Sequence, residues 1–259
     1  MPRLNAVQQF IDLARALSRP ADLHDLLGAI ATDMGFDYFA LIHHVDLSGY
    51  TASLAHMENG SVIALSTYPD AWIETYIADN IVANDPVLLA SHRTNMGFSW
   101  SEIPDLIPVT AAHREIRERT IKAGVGDGFT VPAHVPGEAN GSCNFAVATG
   151  RRLPQEHLKM AQLVGGFAFQ AAREMALSAH PESKRAPIRA LTQRQLECIL
   201  FVARGKSDWE IGKILGISPG TVKRHVEDAR AHYGVGNRIQ VVMRALFEGQ
   251  IGLLDTFRK

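Results

Sequence analysis

The chain has 259 residues, 46% of them hydrophobic and 20% charged, with 26 Lys+Arg against 27 Asp+Glu. Such a balance suits one large soluble domain or two ordinary ones, with apolar residues enough for a core that needs no staples. The only cysteines, Cys143 and Cys198, lack metal-ligand spacing, which excludes a disulfide framework or a zinc module and fits a reducing cytoplasm.

Met1 to Phe10 has no apolar stretch of the signal-peptide kind, and no run of about 18 apolar residues occurs, so no membrane span is expected. Leu4, Val7, Phe10, Ile11, Ala14 and Leu17 repeat at helical spacing over 3–17. Leu23, Leu26, Leu27, Ile30 and Met34 do the same over 22–34, with Gly35 as the stop. Residues 36–46, rich in aromatic and branched side chains, read as a strand, and 60–66, 127–134 and 142–149 as three more. Helical stretches fall near 70–80, 84–93 and 110–122, and a long helix over about 154–177 closes the domain. Its apolar surface is wider than one core contact needs, which fits either a dimer partner or deeper burial in its own domain. The expected fold is α+β: an α/β/α sandwich around an antiparallel sheet at residues 1–178, followed by an all-α domain at 190–259.

Between them, 179–189 reads AHPESKRAPIR, with two prolines and no apolar periodicity, a linker composition. Charge changes sign here. From residue 183 onward there are 14 Lys+Arg and 7 Asp+Glu, whereas 1–182 holds 12 and 20. A basic domain on an acidic body suits a polyanionic partner, although a solvated basic face is the ordinary alternative.

The C-terminal domain carries the densest local code. Thr192 with Gln195, and Ser207 with Glu210, stand at capping-box spacing, and Gly205 and Gly216 close the helices they open. Ser218 can cap a third helix with Pro219 at its first position. Two short helices joined at Gly216-Ile217-Ser218 have helix-turn-helix dimensions. In the third helix Val222, Val226 and Ala229 face inward, leaving Lys223, Arg224, Glu227 and Arg230 for a major groove. A three-helix bundle with a solvated basic face is the plainer reading; three caps, the turn and the charge favour DNA.

Residues 191–248 resemble the helix-turn-helix of LuxR-type regulators. The matching elements are LT-x-R (191–194), ARGKS-x-x-EI (203–211), IS-x-x-TV-x-x-H (217–225) and V-x-NR-x-Q (235–240). Two positions depart from the family: Gln195 stands where Glu is usual, and Gly212 where Ala is usual. Gln195 still caps, but the lost charge bears on contacts with RNA polymerase.

The N-terminal half lacks the βα alternation of a phosphoreceiver. Residues 68–100 instead resemble the signal-binding domain of the acyl-homoserine-lactone branch of the LuxR family, through Tyr68, Trp72, Tyr76, Asp85, Pro86 and Trp100, with GFTVP (128–132) as a later match. Such a ligand presents two carbonyls and one amide N–H, so its site must offer two donors and an acceptor. The resemblance implies the Trp72 indole at the lactone carbonyl, Asp85 at the amide N–H, and Tyr68 at the acyl carbonyl, with Tyr76 and Trp100 as aromatic walls. Asn144 falls where the family often has Ser or Thr near the acyl carbonyl; its amide could donate there, and its bulk bears on the 3-position substituent. Strand alternation puts Ala40 and Ile42 along the acyl cavity, and His44 on the same face as a satisfied structural histidine. Cys143 alternates away as plain packing.

Taken singly, each of these residues has a packing explanation: aromatics four apart share a helix face, and Asp85 before Pro86 can start a turn or cap a helix. Their joint pattern points to the ligand. No HExxH, GxSxG or phosphate-binding glycine loop occurs, so catalysis is not expected, nor a metal or cofactor. The expected protein is a cytoplasmic, ligand-switched homodimer that binds an inverted-repeat site on duplex DNA. Lys223, Arg224 and Glu227 are the candidates for base edges, and Lys206, Thr221 and Arg238 for phosphates. Two alternatives stay open: the same architecture answering a different small molecule, or a ligand-independent dimeric DNA-binding protein.

Overall fold

The computed structural model describes residues 2–44, 64–135, 140–179 and 190–257. Contacts divide the chain into two compact units, the first mainly Met1–His134 with Ala139–Lys184, the second mainly Arg185–Lys259. Beyond Ala179 the expected linker lies outside the described residues, as does the 60–63 part of the second expected strand.

The first unit opens with helices α1 (Pro2–Ala16) and α2 (Pro20–Asp33), then strands β1 (Tyr38–His43) and β2 (Ala64–Ser66). Helices α3 (Asp70–Ala78) and α4 (Pro86–Ser91) follow, then β3 (Phe98–Ser99), α5 (Ile103–Leu106) and α6 (Ala111–Lys122). Strands β4 (Val125–Ala133) and β5 (Gly141–Ala148) and the long helix α7 (Leu158–Ala179) complete it. The second unit holds α8 (Gln193–Ala203), α9 (Asp208–Leu215), α10 (Pro219–Tyr233), α11 (Arg238–Phe247) and α12 (Leu253–Thr256). Among the described residues no helix is long and apolar enough to cross a membrane.

The five strands form one antiparallel sheet in the order β2-β1-β5-β4-β3. Strand side chains alternate between faces, so the sheet separates two environments. Phe39, Leu41, Phe129, Val131, Cys143, Phe145 and Val147 point into the main core, packed with Phe10 of α1, Leu23 and Leu27 of α2, and Ala161, Val164 and Phe169 of α7. Cys143 is therefore core packing, as its alternation with Asn144 implied. The opposite face carries Ala40, Asn144 and Thr130 side by side in register across β1, β5 and β4. Trp100, Val87 and Ile103 form a second core there with Ala146 and Val125.

Element boundaries differ from expectation where backbone chemistry intervenes. The strand expected over 36–46 begins at Tyr38 because Phe36 N–H still bonds Ala31 at the end of α2, and Asp37 turns its carboxylate to the Ala148 amide and to Arg151. The helix expected over 84–93 is split. Pro86 disfavours helical backbone at Asp85, which is extended (φ −67°, ψ 115°) and separates a 3-10 turn at Ile81–Asn84 from α4. The long helix starts at Leu158 rather than 154, after a 3-10 turn at Gln155–His157.

Candidate ligand pocket and nucleic-acid interface

A cavity opens on the second face of the sheet, lined by Ala40 and Ile42 of β1, Ala64 and Leu65 of β2, Trp72, Ile73 and Tyr76 of α3, and Asp85, Val87 and Leu88 around α4. Tyr68, Trp100, Asn144 and the α6 residues Ile116, Arg117 and Thr120 complete it. A largely apolar concavity with a few convergent polar groups is the usual form of a small-molecule site. All eight sequence-selected pocket residues line it. Tyr68 precedes α3, whose N-cap is Pro69, so the three aromatics at four-residue spacing are not one helix face.

Asp85 is the polar centre. Its side chain caps α4 by accepting from Val87 N–H at 2.8 Å, and its other oxygen accepts from the Tyr76 hydroxyl at 2.7 Å. Burial pushes the carboxyl above the ordinary carboxylate range, opposed by the Tyr76 hydroxyl and the Val87 and Leu88 amides. The turn-capping role and the acceptor role are thus held by one side chain, which the cap fixes in place. Burial also pushes the Tyr68 and Tyr76 hydroxyls well up from the usual phenol value, so both stay protonated donors. Trp72 is 5% exposed, its ring 6.0 Å from that of Tyr76 in an edge-on arrangement.

A hydrogen-bond chain runs along the sheet face beneath the cavity. Trp100 Nε1–H donates to Thr130 Oγ1 at 2.9 Å, and the Thr130 hydroxyl donates to Asn144 Oδ1 at 2.7 Å. Asn144 Nδ2 donates to the Ala40 carbonyl at 3.2 Å and to Ser142 Oγ at 3.1 Å. Ser142 Oγ lies 2.9 Å from His44 Nε2, whose Nδ1 lies 3.0 Å from His92 Nε2. This corrects one expectation: both Asn144 amide hydrogens are engaged in the sheet, so Asn144 serves as a wall with no free donor for an acyl carbonyl. Trp100 likewise has its N–H spent on Thr130 and presents its ring. His44 is a satisfied structural histidine, as expected.

In the second unit every expected cap is present. Thr192 with Gln195 and Ser207 with Glu210 form reciprocal capping boxes, and Ser218 accepts from Thr221 N–H at 3.0 Å with Pro219 opening α10. Gly216 ends α9 in the left-handed region at φ 69°, where a side chain would be strained. Val222, Val226 and Ala229 are buried, and Lys223, Arg224 and Glu227 are exposed on the opposite side of α10. Glu227 pairs with Arg230 at 3.0 Å, and Arg224 with Asp228 at 4.0 Å. Lys206 lies 3.4 Å from Glu210, and Arg238 bridges Asp208 at 3.2 Å and the Lys206 carbonyl at 3.3 Å. Thr221 Oγ1 sits 2.8 Å from Ser218 Oγ. Thr221 thus sits in the first turn of α10, while Lys206 and Arg238 meet where α9 and α11 begin.

Residues 19–172 match the autoinducer binding domain, and residues 189–245 match the luxR family of bacterial regulatory proteins. The chain belongs to the LuxR family. It is 30% identical over 250 residues to the quorum sensing-dependent transcriptional regulator RpaR of Rhodopseudomonas palustris, covering 95% of this chain and 94% of that one. It is 24% identical over 250 residues to the transcriptional activator protein LuxR of Aliivibrio fischeri, covering 96% and 95%. The crystal structure of Escherichia coli SdiA shares the fold, with a TM-score of 0.61 and 24% identity over 96% of this chain and 99% of that one. The protein is accordingly a LuxR-type transcription regulator with an autoinducer-binding domain and a DNA-binding helix-turn-helix, not an enzyme.

The two departures from the LuxR pattern have different local consequences. Gln195 keeps both capping-box bonds, accepting from Thr192 N–H at 2.8 Å, and lacks only the charge. At Gly212 a Cβ would stand 2.7 Å from the Ile217 carbonyl oxygen, so the turn between α9 and α10 packs closer than alanine allows. Sequence reading missed Thr130, which ties Trp100 to Asn144, and missed Arg117. A signal existed for Arg117: His113, Arg117 and Thr120 recur at helical spacing, and His113 and Thr120 are buried. It also missed α11, although Asn237 and Gln240 form a third capping box in the second unit.

Proposed function

We propose that the protein binds an N-acyl-homoserine lactone in the cavity between the sheet and α3–α6, and that occupancy controls its binding to duplex DNA as a homodimer. The observation that carries the reading is the donor-acceptor set around Asp85. Trp72 offers an indole N–H that makes no hydrogen bond among the described residues, Tyr68 a protonated hydroxyl, and Asp85 an acceptor held by Tyr76 and Val87. That set complements a lactone carbonyl, an acyl carbonyl and an amide N–H, while Ala40, Ile42 and Ala64 offer an apolar wall to the chain. An effector with no cofactor chemistry suffices.

The homodimer is supported by Leu163 and Phe167, one turn apart on α7 and 44% and 36% exposed. An apolar pair on the exposed face of the helix, beside Gly166 and Gln170, suits a second copy. On α10, Lys223, Arg224 and Glu227 are proposed to read base edges, with Lys206, Thr221 and Arg238 at phosphates and the Gln195 region facing RNA polymerase. The proposed division is residues 1–178 for ligand and dimer, 179–189 as linker and 190–259 for DNA, in the cytoplasm.

Titration calorimetry with N-acyl-homoserine lactones of graded chain length tests the ligand assignment. Saturable binding to the wild type, weakened at least tenfold in Trp72→Phe and Asp85→Ala, is expected. Undiminished binding by both variants would overturn it.

A further inference from the structure

Arg117 stands apart from the other polar groups of the pocket. Its side chain lines the cavity from α6, and its Nη1 is buried with no hydrogen-bond partner. Among the described residues it makes no ion pair. Of the nearby acids, Asp85 has both oxygens occupied by Tyr76 and Val87, and Asp127 accepts from the Gly128 amide at 2.9 Å. What holds the guanidinium is the Trp100 ring, whose centroid lies 5.2 Å from Cζ. Burial lowers its pKa, with the Asp127 and Asp85 charges opposing. A buried guanidinium nitrogen without an acceptor is costly, and a ligand oxygen at Nη1 would offset that cost.

A simple acyl-homoserine lactone cannot do so without leaving another donor unmet. Its two carbonyls are matched by Trp72 and Tyr68, so Arg117 is a third donor facing no third acceptor. We propose that Arg117 is a specificity-determining residue that selects ligands bearing a third acceptor oxygen. This rests on the acyl-homoserine-lactone reading of the pocket and narrows it. Two ligand sources carry that oxygen: an acyl chain oxidised at the 3-position, and the carboxylate of the ring-opened head group. Either would make charge-assisted bonds to the guanidinium, stronger than bonds between neutral groups.

The full-length protein is titrated calorimetrically with octanoyl-homoserine lactone, its 3-oxo counterpart and the ring-opened octanoyl-homoserine. The same ligands are measured on Arg117→Met and Arg117→Lys, with melting of the unliganded variants as the check on folding. The expected result is that one acceptor-bearing ligand binds the wild type roughly tenfold or more tightly than the unsubstituted lactone. Arg117→Met erases that preference by weakening the acceptor-bearing ligand more than the unsubstituted lactone, and Arg117→Lys restores part of it. Which of the two acceptor-bearing ligands gains identifies the source of the oxygen. Equal binding of all three, or equal losses for all three in Arg117→Met, overturns the specificity role and indicates packing alone. No binding of any ligand to the wild type instead overturns the lactone reading beneath it.

Discussion

The Tyr76 hydroxyl donates to Asp85 Oδ2 at 2.7 Å while the Val87 amide donates to Oδ1 at 2.8 Å, so the carboxylate is clamped between α3 and the start of α4. A carboxylate fixed in this way loses little freedom when a ligand N–H arrives, and the preorganisation belongs to affinity. Tyr76→Phe keeps the ring and removes the clamp. It is expected to weaken lactone binding by roughly tenfold, the scale of one hydrogen bond to a charged group. Calorimetric Kd values compare it with Asp85→Ala, which should bind still more weakly.

Gly128 and Trp100 make a close approach that the sheet requires. A Cβ at residue 128 would stand 2.5 Å from the Trp100 ring, and that ring also holds Thr130 and lies beneath Arg117. Gly128→Ala must therefore displace the indole. Overpacking of this kind costs about 1–3 kcal/mol, and the pocket wall moves with it. A lowered Tm together with reduced ligand response is expected, and a variant as stable as wild type would contradict the close packing.

The difference between what the sequence discloses and what it hides follows from the range of the interactions. Helix caps at Thr192, Ser207 and Ser218 are local chemistry, so the helix-turn-helix is legible residue by residue, and the pocket residues from Tyr68 to Trp100 form one short segment with a recognisable spacing. The Trp100–Thr130–Asn144 chain joins three separate parts of the sequence through strand register, which no local pattern encodes. That is why the sequence leaves the Asn144 amide able to donate into the cavity, whereas strand register commits it to the sheet. Strand β3 and helix α5 are too short to show any periodicity.

His44 gives the protein a specific acid sensitivity. Burial, with the neighbouring His92, His134 and His43, pushes its pKa down to about 3. The folded pKa lies below the unfolded value near 6.5, so the fold favours the neutral ring. Its contribution is present above that unfolded value and is lost as pH falls from there toward about 3. Asp85, raised by burial, acts in the opposite direction, so the informative quantity is a difference between proteins. Denaturant melts of wild type and His44→Gln across this range should converge as the pH falls; parallel curves would contradict the assignment.

The proposed groups at the DNA interface separate by their salt response. Arg238→Ala, at a proposed phosphate contact, should weaken binding to all sequences alike and reduce the slope of log K against log salt by about 1. Lys223→Ala, on the exposed face of α10, should relax preference at one base position and cost about 1–3 kcal/mol on the specific site. Fluorescence anisotropy on a selected inverted repeat and on unrelated duplex, over a salt series, distinguishes the two.

Lactone recognition is tested most directly by thermal melting of the full-length protein with N-acyl-homoserine lactones from butanoyl to dodecanoyl, with and without a 3-oxo group. A ligand at a hundredfold excess over its Kd stabilises the fold by about 2.7 kcal/mol, enough to raise Tm by several degrees in a protein of this size. At least one lactone is expected to produce that shift in the wild type and to lose it in Trp72→Phe. No shift with any lactone, under conditions where the protein melts cooperatively, would contradict the account.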